Sequence, residues 1–244
     1  THQPELDALQ GPERYLRWFE HVGRVTSEMV VHWMRVGFVH GVMNTDNMSV
    51  LGLSIDYGPY GFLDLYDPDW TPNTTDAHGR RYRYANQPDV ALWNLSCLAS
   101  ALVPLVGGTP QLEAALHACA EQLSGRMDRM LCDKLGFARS DGAALELAHA
   151  VLPVLHNCEL DLTIFFRRLC ELPDADVDAQ SLLGGLTQAS YAPALSEAQR
   201  GQLTSWLLNY VVQLREESRR SDERRAAMRA VNPKYILRNY MAQL

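Results

Sequence analysis

Apolar positions recur at helical spacing near the start of the chain: Tyr15, Trp18, Phe19, Val22, Val25, Met29, Val30 and Trp33. Pro12 precedes them, where a missing N–H costs nothing, and Gly37 follows as a left-handed stop. The pattern predicts a helix of about six turns with one apolar face. It then changes. Between Gly37 and Leu65 glycines interrupt short apolar pieces, of which Ser49–Leu53 and Gly61–Leu65 are strand candidates. They are short enough for a small hairpin carrying loops. From Tyr66 to Pro88 the chain is polar and rich in Pro, Asn, Asp and Gly, and reads as a long irregular loop.

Helical spacing returns after that loop. Ala91, Leu92, Leu95, Leu98, Ala99 and Leu102 form a stripe that Pro104 is expected to end. Thr109-Pro110 opens the next helix, with Leu112, Ala115, Leu116, Cys119 and Leu123 inside. Two or three further helices are expected between Arg126 and Cys170, then an acidic connector at Pro173–Asp178. Ser196 and Gln199 form a capping box for a helix whose inner face carries Leu203, Trp206, Leu207, Tyr210, Val211 and Leu214. Arg215 to Arg229 interleaves Arg with Glu and Asp and reads as a solvated helix face.

Composition narrows the function classes. With 47% hydrophobic and 21% charged residues, the 244-residue chain has an ordinary globular make-up. A net charge of -7 argues against a general nucleic-acid binder, which carries a basic footprint. No apolar run is expected to approach the roughly 20 residues that span a membrane. The five cysteines show no CxxC spacing, so buried reduced thiols in a reducing cytosol are the expectation, rather than zinc or disulfides. The chain begins Thr1-His2-Gln3, with neither an initiator Met nor signal-peptide character, and is expected to be a piece of a longer cytoplasmic protein.

The chemistry concentrates in His40-Gly41-Val42-Met43-Asn44-Thr45-Asp46-Asn47, followed by Asp56-Tyr57-Gly58. A kinase catalytic loop runs His-x-Asp, four residues, then Asn. His40 and Asn47 keep that spacing, Val42 replaces the Asp, and a carboxylate stands instead at Asp46. Asp56-Tyr57-Gly58 has the form of the kinase DFG element, whose Asp holds Mg²⁺ together with the Asn. Two oxygen donors plus phosphate and water suit that ion. The plainer reading stays open at this point: an Asp-Asn pair and a DYG turn also arise as local turn chemistry. One long helix, a small hairpin with loops, then more helices is the layout of a kinase C-lobe. The expected fold is therefore mainly α: a protein-kinase-like C-lobe whose small β-hairpin carries the catalytic and metal loops, extended by C-terminal helices. Residues 1–105 would form the core and 106–244 the helical extension.

The stretch HGVMNTDNMSVLGLSIDYGPYGFLD, residues 40–64, resembles the signature of the selenoprotein O (YdiU) family. NQPDVALWNL, Asn86 to Leu95, and NPKYILRNY, Asn232 to Tyr240, are similar to the same family. That resemblance implies a kinase-like protein adenylyltransferase that moves AMP from ATP, bound in a flipped orientation, to Ser, Thr or Tyr hydroxyls of proteins. It implies Asp46 as catalytic base and Asn47 and Asp56 as ligands of Mg²⁺ or Mn²⁺. The family's Lys, its Glu partner, its Gly-rich loop and its phosphate-binding arginines would lie upstream, in an N-lobe. The chain alone is then expected to be inactive. Pro72 stands where some members carry Cys. A noncatalytic scaffold and an ordinary kinase are the competing readings. His40 is expected to be a buried brace that bonds main chain near Asp56, not a proton shuttle.

Overall fold

The computed structural model describes residues 6, 8–172, 179–192, 194–217 and 219–243. The connector expected at Pro173–Asp178 lies outside the described residues. In chain order the elements are α1 (Gly11–Val36), β1 (Phe38–Val39), β2 (Gly61–Phe62), α2 (Gln87–Val106), α3 (Pro110–Leu135), α4 (Gly142–Asn157), α5 (Leu162–Leu169), α6 (Ala179–Leu186), α7 (Glu197–Glu216) and α8 (Ser221–Val231). The fold is mainly helical, with β1 and β2 paired in a small antiparallel sheet. Two compact units interleave along the chain. One comprises the chain up to Met34, Val39–Tyr60 and Thr71–Arg126; the other comprises Arg35–Phe38, Gly61–Trp70 and the chain from Met127 on.

The core of the first unit is built by α1, α2 and α3. Phe19 and Val22 meet Leu95, Ala99, Leu102, Leu112 and Cys119 in one apolar cluster. The crossing of α1 and α3 is close: a Cβ on Gly23 would come within 2.2 Å of the Cys119 sulfur. α2 runs straight through Pro104 and stops only at Gly107, in the left-handed conformation at φ 86. The expectation that Pro104 ends the helix is thereby corrected. The stretch Tyr84–Val106 is consequently long and apolar enough to cross a membrane by length and composition, against the sequence expectation. In this fold its Val90, Ala91, Leu95 and Leu102 are core residues.

A second correction falls on Ser49–Leu53. This is a turn, not a strand: Met48 and Ser54 make one antiparallel bridge, and the chain reverses between them. The Ser49 hydroxyl accepts from Leu51 N, and Gly52 lies at φ 66 with its α-carbon against Val25. A hydroxyl that satisfies the backbone locally competes with ladder pairing. At Gly61–Leu65 only Gly61–Phe62 is strand, with a further bridge from Leu65 to Asp161.

In the second unit α4, α5, α6 and α7 pack around stacked aromatics. Trp206 lies on Tyr210 with ring centroids 5.2 Å apart, and the Tyr210 hydroxyl donates to Leu135 O at 2.8 Å. The Ser196–Gln199 capping box starts α7 in both directions, as expected. The solvated face expected over Arg215–Arg229 is broken between α7 and α8, and within α8 Arg224 is buried. The methylene stem of Arg224 packs on Gly136, whose positive φ allows the approach, and its head reaches Met228. All five cysteines are free thiols, and all but Cys97 are buried.

Candidate active site

Residues 40–43 lie outside helix and sheet, with a bend at Gly41, and each exposes a polar group that neither helix nor sheet satisfies. Side-chain amides do so instead. His40 N donates to Gln87 Oε1 at 2.9 Å, and Asn73 Nδ2 donates to Gly41 O at 3.0 Å. Asn47 Nδ2 donates to Val42 O at 3.0 Å, and Asn94 Nδ2 to Met43 O at 3.0 Å. Gln87, Asn73 and Asn94 are buried, so each bond forms away from competing water. Gly41 is needed here, since at φ 81 a Cβ would meet Pro59 O at 2.5 Å. Asn94 Oδ1 is buried and has no partner among the described residues. An orphaned buried acceptor costs about 1–3 kcal/mol, a cost usually tolerated where another atom of the group is needed.

His40 is 1% exposed. Its Nδ1 accepts from Val42 N at 3.4 Å and its Nε2 donates to Ile55 O at 2.8 Å, an arrangement that matches one neutral tautomer. Trp33 packs on the ring at 5.4 Å and sends its indole N–H to Ser54 Oγ at 2.8 Å. The expectation for His40 is met in its geometry: a buried brace reaching the main chain one residue before Asp56.

The sequence-predicted site residues follow. Thr45–Asn47 is one turn of 3-10 helix, closed by Asn47 N donating to Asn44 O at 3.0 Å. Asp46 is exposed on it, while Asn47 is buried with its amide nitrogen turned to Val42 and no partner for its Oδ1 among the described residues. The Met48–Ser54 bridge brings the two arms of the loop together, one residue from Asn47 and two from Asp56. Asp56 is exposed at φ 53, and Gly58 N donates to its carbonyl at 2.7 Å. Asp adopts that left-handed conformation more readily than most residues, though at some strain. Neither carboxylate has a hydrogen-bond or ion-pair partner among the described residues. Asn47 Oδ1 and the Asp56 carboxylate are hard oxygen atoms, the donor type that Mg²⁺ takes together with phosphate and water. Among the described residues no group of three or more His, Cys, Asp or Glu could hold a metal alone.

Sequence reasoning missed the amide frame of Asn73, Gln87 and Asn94. Gln87 and Asn94 lie inside NQPDVALWNL, seven residues apart on one face of α2, so the signal was present but read only as a family resemblance. The third segment, NPKYILRNY, contributes none of this frame. In the second unit Arg238 pairs with Asp161 at 2.6 Å and with Asp64. Asn239 bonds both the N–H and the carbonyl of Phe62, and Asn232 Nδ2 donates to Lys134 O at 2.8 Å.

The loop thus joins a backbone held by side-chain amides to two exposed carboxylates without partners among the described residues. The comparisons name the family: a model described as protein adenylyltransferase SelO matches residues 2–244, and the chain belongs to that family. Its relatives include a protein nucleotidyltransferase YdiU of Rhodopirellula baltica, 47% identical over 251 residues and covering 98% of this chain. Proteins of the same name from Xanthomonas oryzae pv. oryzae and Azoarcus sp. are each 48% identical, over 94% and 95% of the chain. The alignments take in 46%, 43% and 44% of those three proteins, so the chain spans about half the length of the curated relatives it matches.

Proposed function

We propose that this chain is the catalytic-loop half of a protein adenylyltransferase with a kinase-like C-lobe, which transfers AMP from Mg-ATP to Ser, Thr or Tyr hydroxyls of proteins. The observation that carries the reading is the contrast within the loop: residues 40–43 are held by amide side chains, while the Asp46 and Asp56 carboxylates are exposed and unpartnered. In this reading Asp46 accepts the proton of the attacking hydroxyl, whose oxygen bonds the α-phosphorus as pyrophosphate leaves. Asn47 and Asp56 would hold the Mg²⁺ or Mn²⁺, which supplies charge neutralisation on the phosphates. Preorganised groups of this kind contribute most when nothing has to move as charge develops.

Val50, Leu51, Leu53, Ile55 and Tyr57 are exposed beside the carboxylates. On this reading they face the lobe that grips ATP, expected on the part of the relatives' length that this chain does not cover. No Gly-rich loop or strand-borne Lys precedes His40 in these 244 residues, so the isolated chain should bind Mg-ATP weakly by isothermal titration. The decisive test is mass spectrometry of acceptor proteins after incubation with ATP and Mg²⁺. An added AMP supports the proposal. An added phosphate would make the protein a kinase, and unmodified acceptors would make it a binding module.

A further inference from the structure

Between α1, α2 and the Thr45–Val50 segment lies a cavity of about 300 Å³. Thr45, Met48 and Ser49 line it from the loop, and Val22, Leu95 and Leu98 from the helices. The turn that carries Asp46 and Asn47 therefore borders open space on its Thr45 side, and packing there contributes little to holding it. Asn94 also lines this cavity. It is 6% exposed, and among the described residues its side chain makes a single hydrogen bond, from Nδ2 to Met43 O, three residues before Asp46.

We propose that Asn94 is a positioning residue: it suspends the Asp46–Asn47 turn from α2 and so sets the direction of both side chains. Asn94 touches neither reacting atoms nor metal in this assignment. It acts through the Met43 carbonyl alone, which explains why a polar side chain with an orphaned acceptor occupies a position where leucine would satisfy the core. The effect on turnover rests on the adenylyltransferase reading; the effect on the turn does not.

The test is Asn94→Leu in the full-length protein, read in three ways. Thermal melting should change little, because the variant removes the unpartnered Oδ1 but leaves the Met43 carbonyl without its donor. Hydrogen exchange of the amides of residues 44–48, including the Asn47 amide bonded to Asn44 O, should speed up at least tenfold. The kcat for AMP transfer should fall 10- to 100-fold, while KM for ATP moves less than threefold. Asn94→Asp keeps the size and loses the donor unless protonated, so its activity relative to wild type should climb as pH falls from 8 to 6. Unchanged exchange at 44–48 in the leucine variant overturns the proposal whatever the activity. Faster exchange with full kcat overturns it as well. Wild-type protein that transfers no AMP would bring down the proposed function instead, and the exchange result would still decide whether Asn94 holds the turn.

Discussion

Residues 40–64 and residues 232–240 both resemble the same family, yet the structure uses their polar atoms in opposite ways. In the first segment the backbone is held and the carboxylates are left free: Asp46 and Asp56 are exposed and without partners among the described residues. In the second, the polar side chains of Asn232, Arg238 and Asn239 are bound to Lys134, to Asp161 and Asp64, and to the Phe62 backbone. The lesson is that a specific sequence match does not distinguish a site from a clamp. What distinguishes them is whether charged atoms remain available after the fold has satisfied its own needs. Free carboxylates on a held backbone suit chemistry; a half-buried Arg between two carboxylates suits anchoring.

The largest effect should separate the two segments by readout. Asp46→Asn and Asp56→Asn should each lower AMP transfer by about 10²–10⁴-fold, the range for losing a positioned acid–base or charge-bearing group. Their melting temperatures should stay within a degree or two, because neither carboxylate makes a bond that folding needs. A large loss of stability with either would break the comparison. Arg238→Met should do the reverse. Asp161 is fully buried and Arg238 is its cation, so removal leaves an uncompensated charge and costs about 3–5 kcal/mol. Urea unfolding measures that cost, and the protein that remains folded should keep its kcat.

How far the sequence disclosed these two regions follows from what each depends on. α1, α3 and the capping box of α7 were readable because periodicity and caps are local signals. The spacing of His40, Asp46, Asn47 and Asp56 was readable because their elements are neighbours in sequence. Pro104 misled because one proline removes a single donor from the helix, which the remaining bonds of α2 outweigh, and the left-handed stop lies at Gly107 instead. Ser49–Leu53 misled because an apolar run of five residues fits a strand and an exposed turn equally well. The amide frame was invisible for another reason. Gln87 and Asn94 serve groups 47 and 51 residues away, and a buried amide on a helix looks, in one sequence, like any polar position.

A smaller effect tests the frame from the other side of the loop. His40 joins Val42 to Ile55 and packs under Trp33, with no path to solvent. His40→Ala should cost about 2–4 kcal/mol through the cavity and the two lost bonds. Its residual kcat, corrected for the folded fraction, should stay well above that of Asp46→Asn. A variant of normal stability and no turnover would move His40 from the brace to the chemistry.

The last effect belongs to the anchor of the second segment and is read as a pH slope. Lys134, whose carbonyl receives Asn232, is buried with no acidic partner among the described residues. Its amine donates to Arg35 O at 2.9 Å and lies 4.1 Å from the centre of the Phe166 ring. Burial, with the Arg35 charge adding to it, pushes its pKa down to about 7. The ring face opposes this by favouring the ammonium form. An unfolded lysine titrates near 10.4. Below pH 7 both states hold the proton, and the group contributes no slope. Between pH 7 and 10 the unfolded chain binds a proton that the folded chain has released, so stability rises with pH by up to about 1.4 kcal/mol per unit. Lys134→Met removes this linkage while filling similar space, and other titrations common to both proteins cancel in the difference. The stability of the variant minus that of wild type should therefore be largest near pH 6.5 and shrink steadily towards pH 9.5 in urea titrations. A difference that stays flat across that range would mean that Arg35 O and Phe166 keep the amine charged, and that the anchor carries a permanent buried cation.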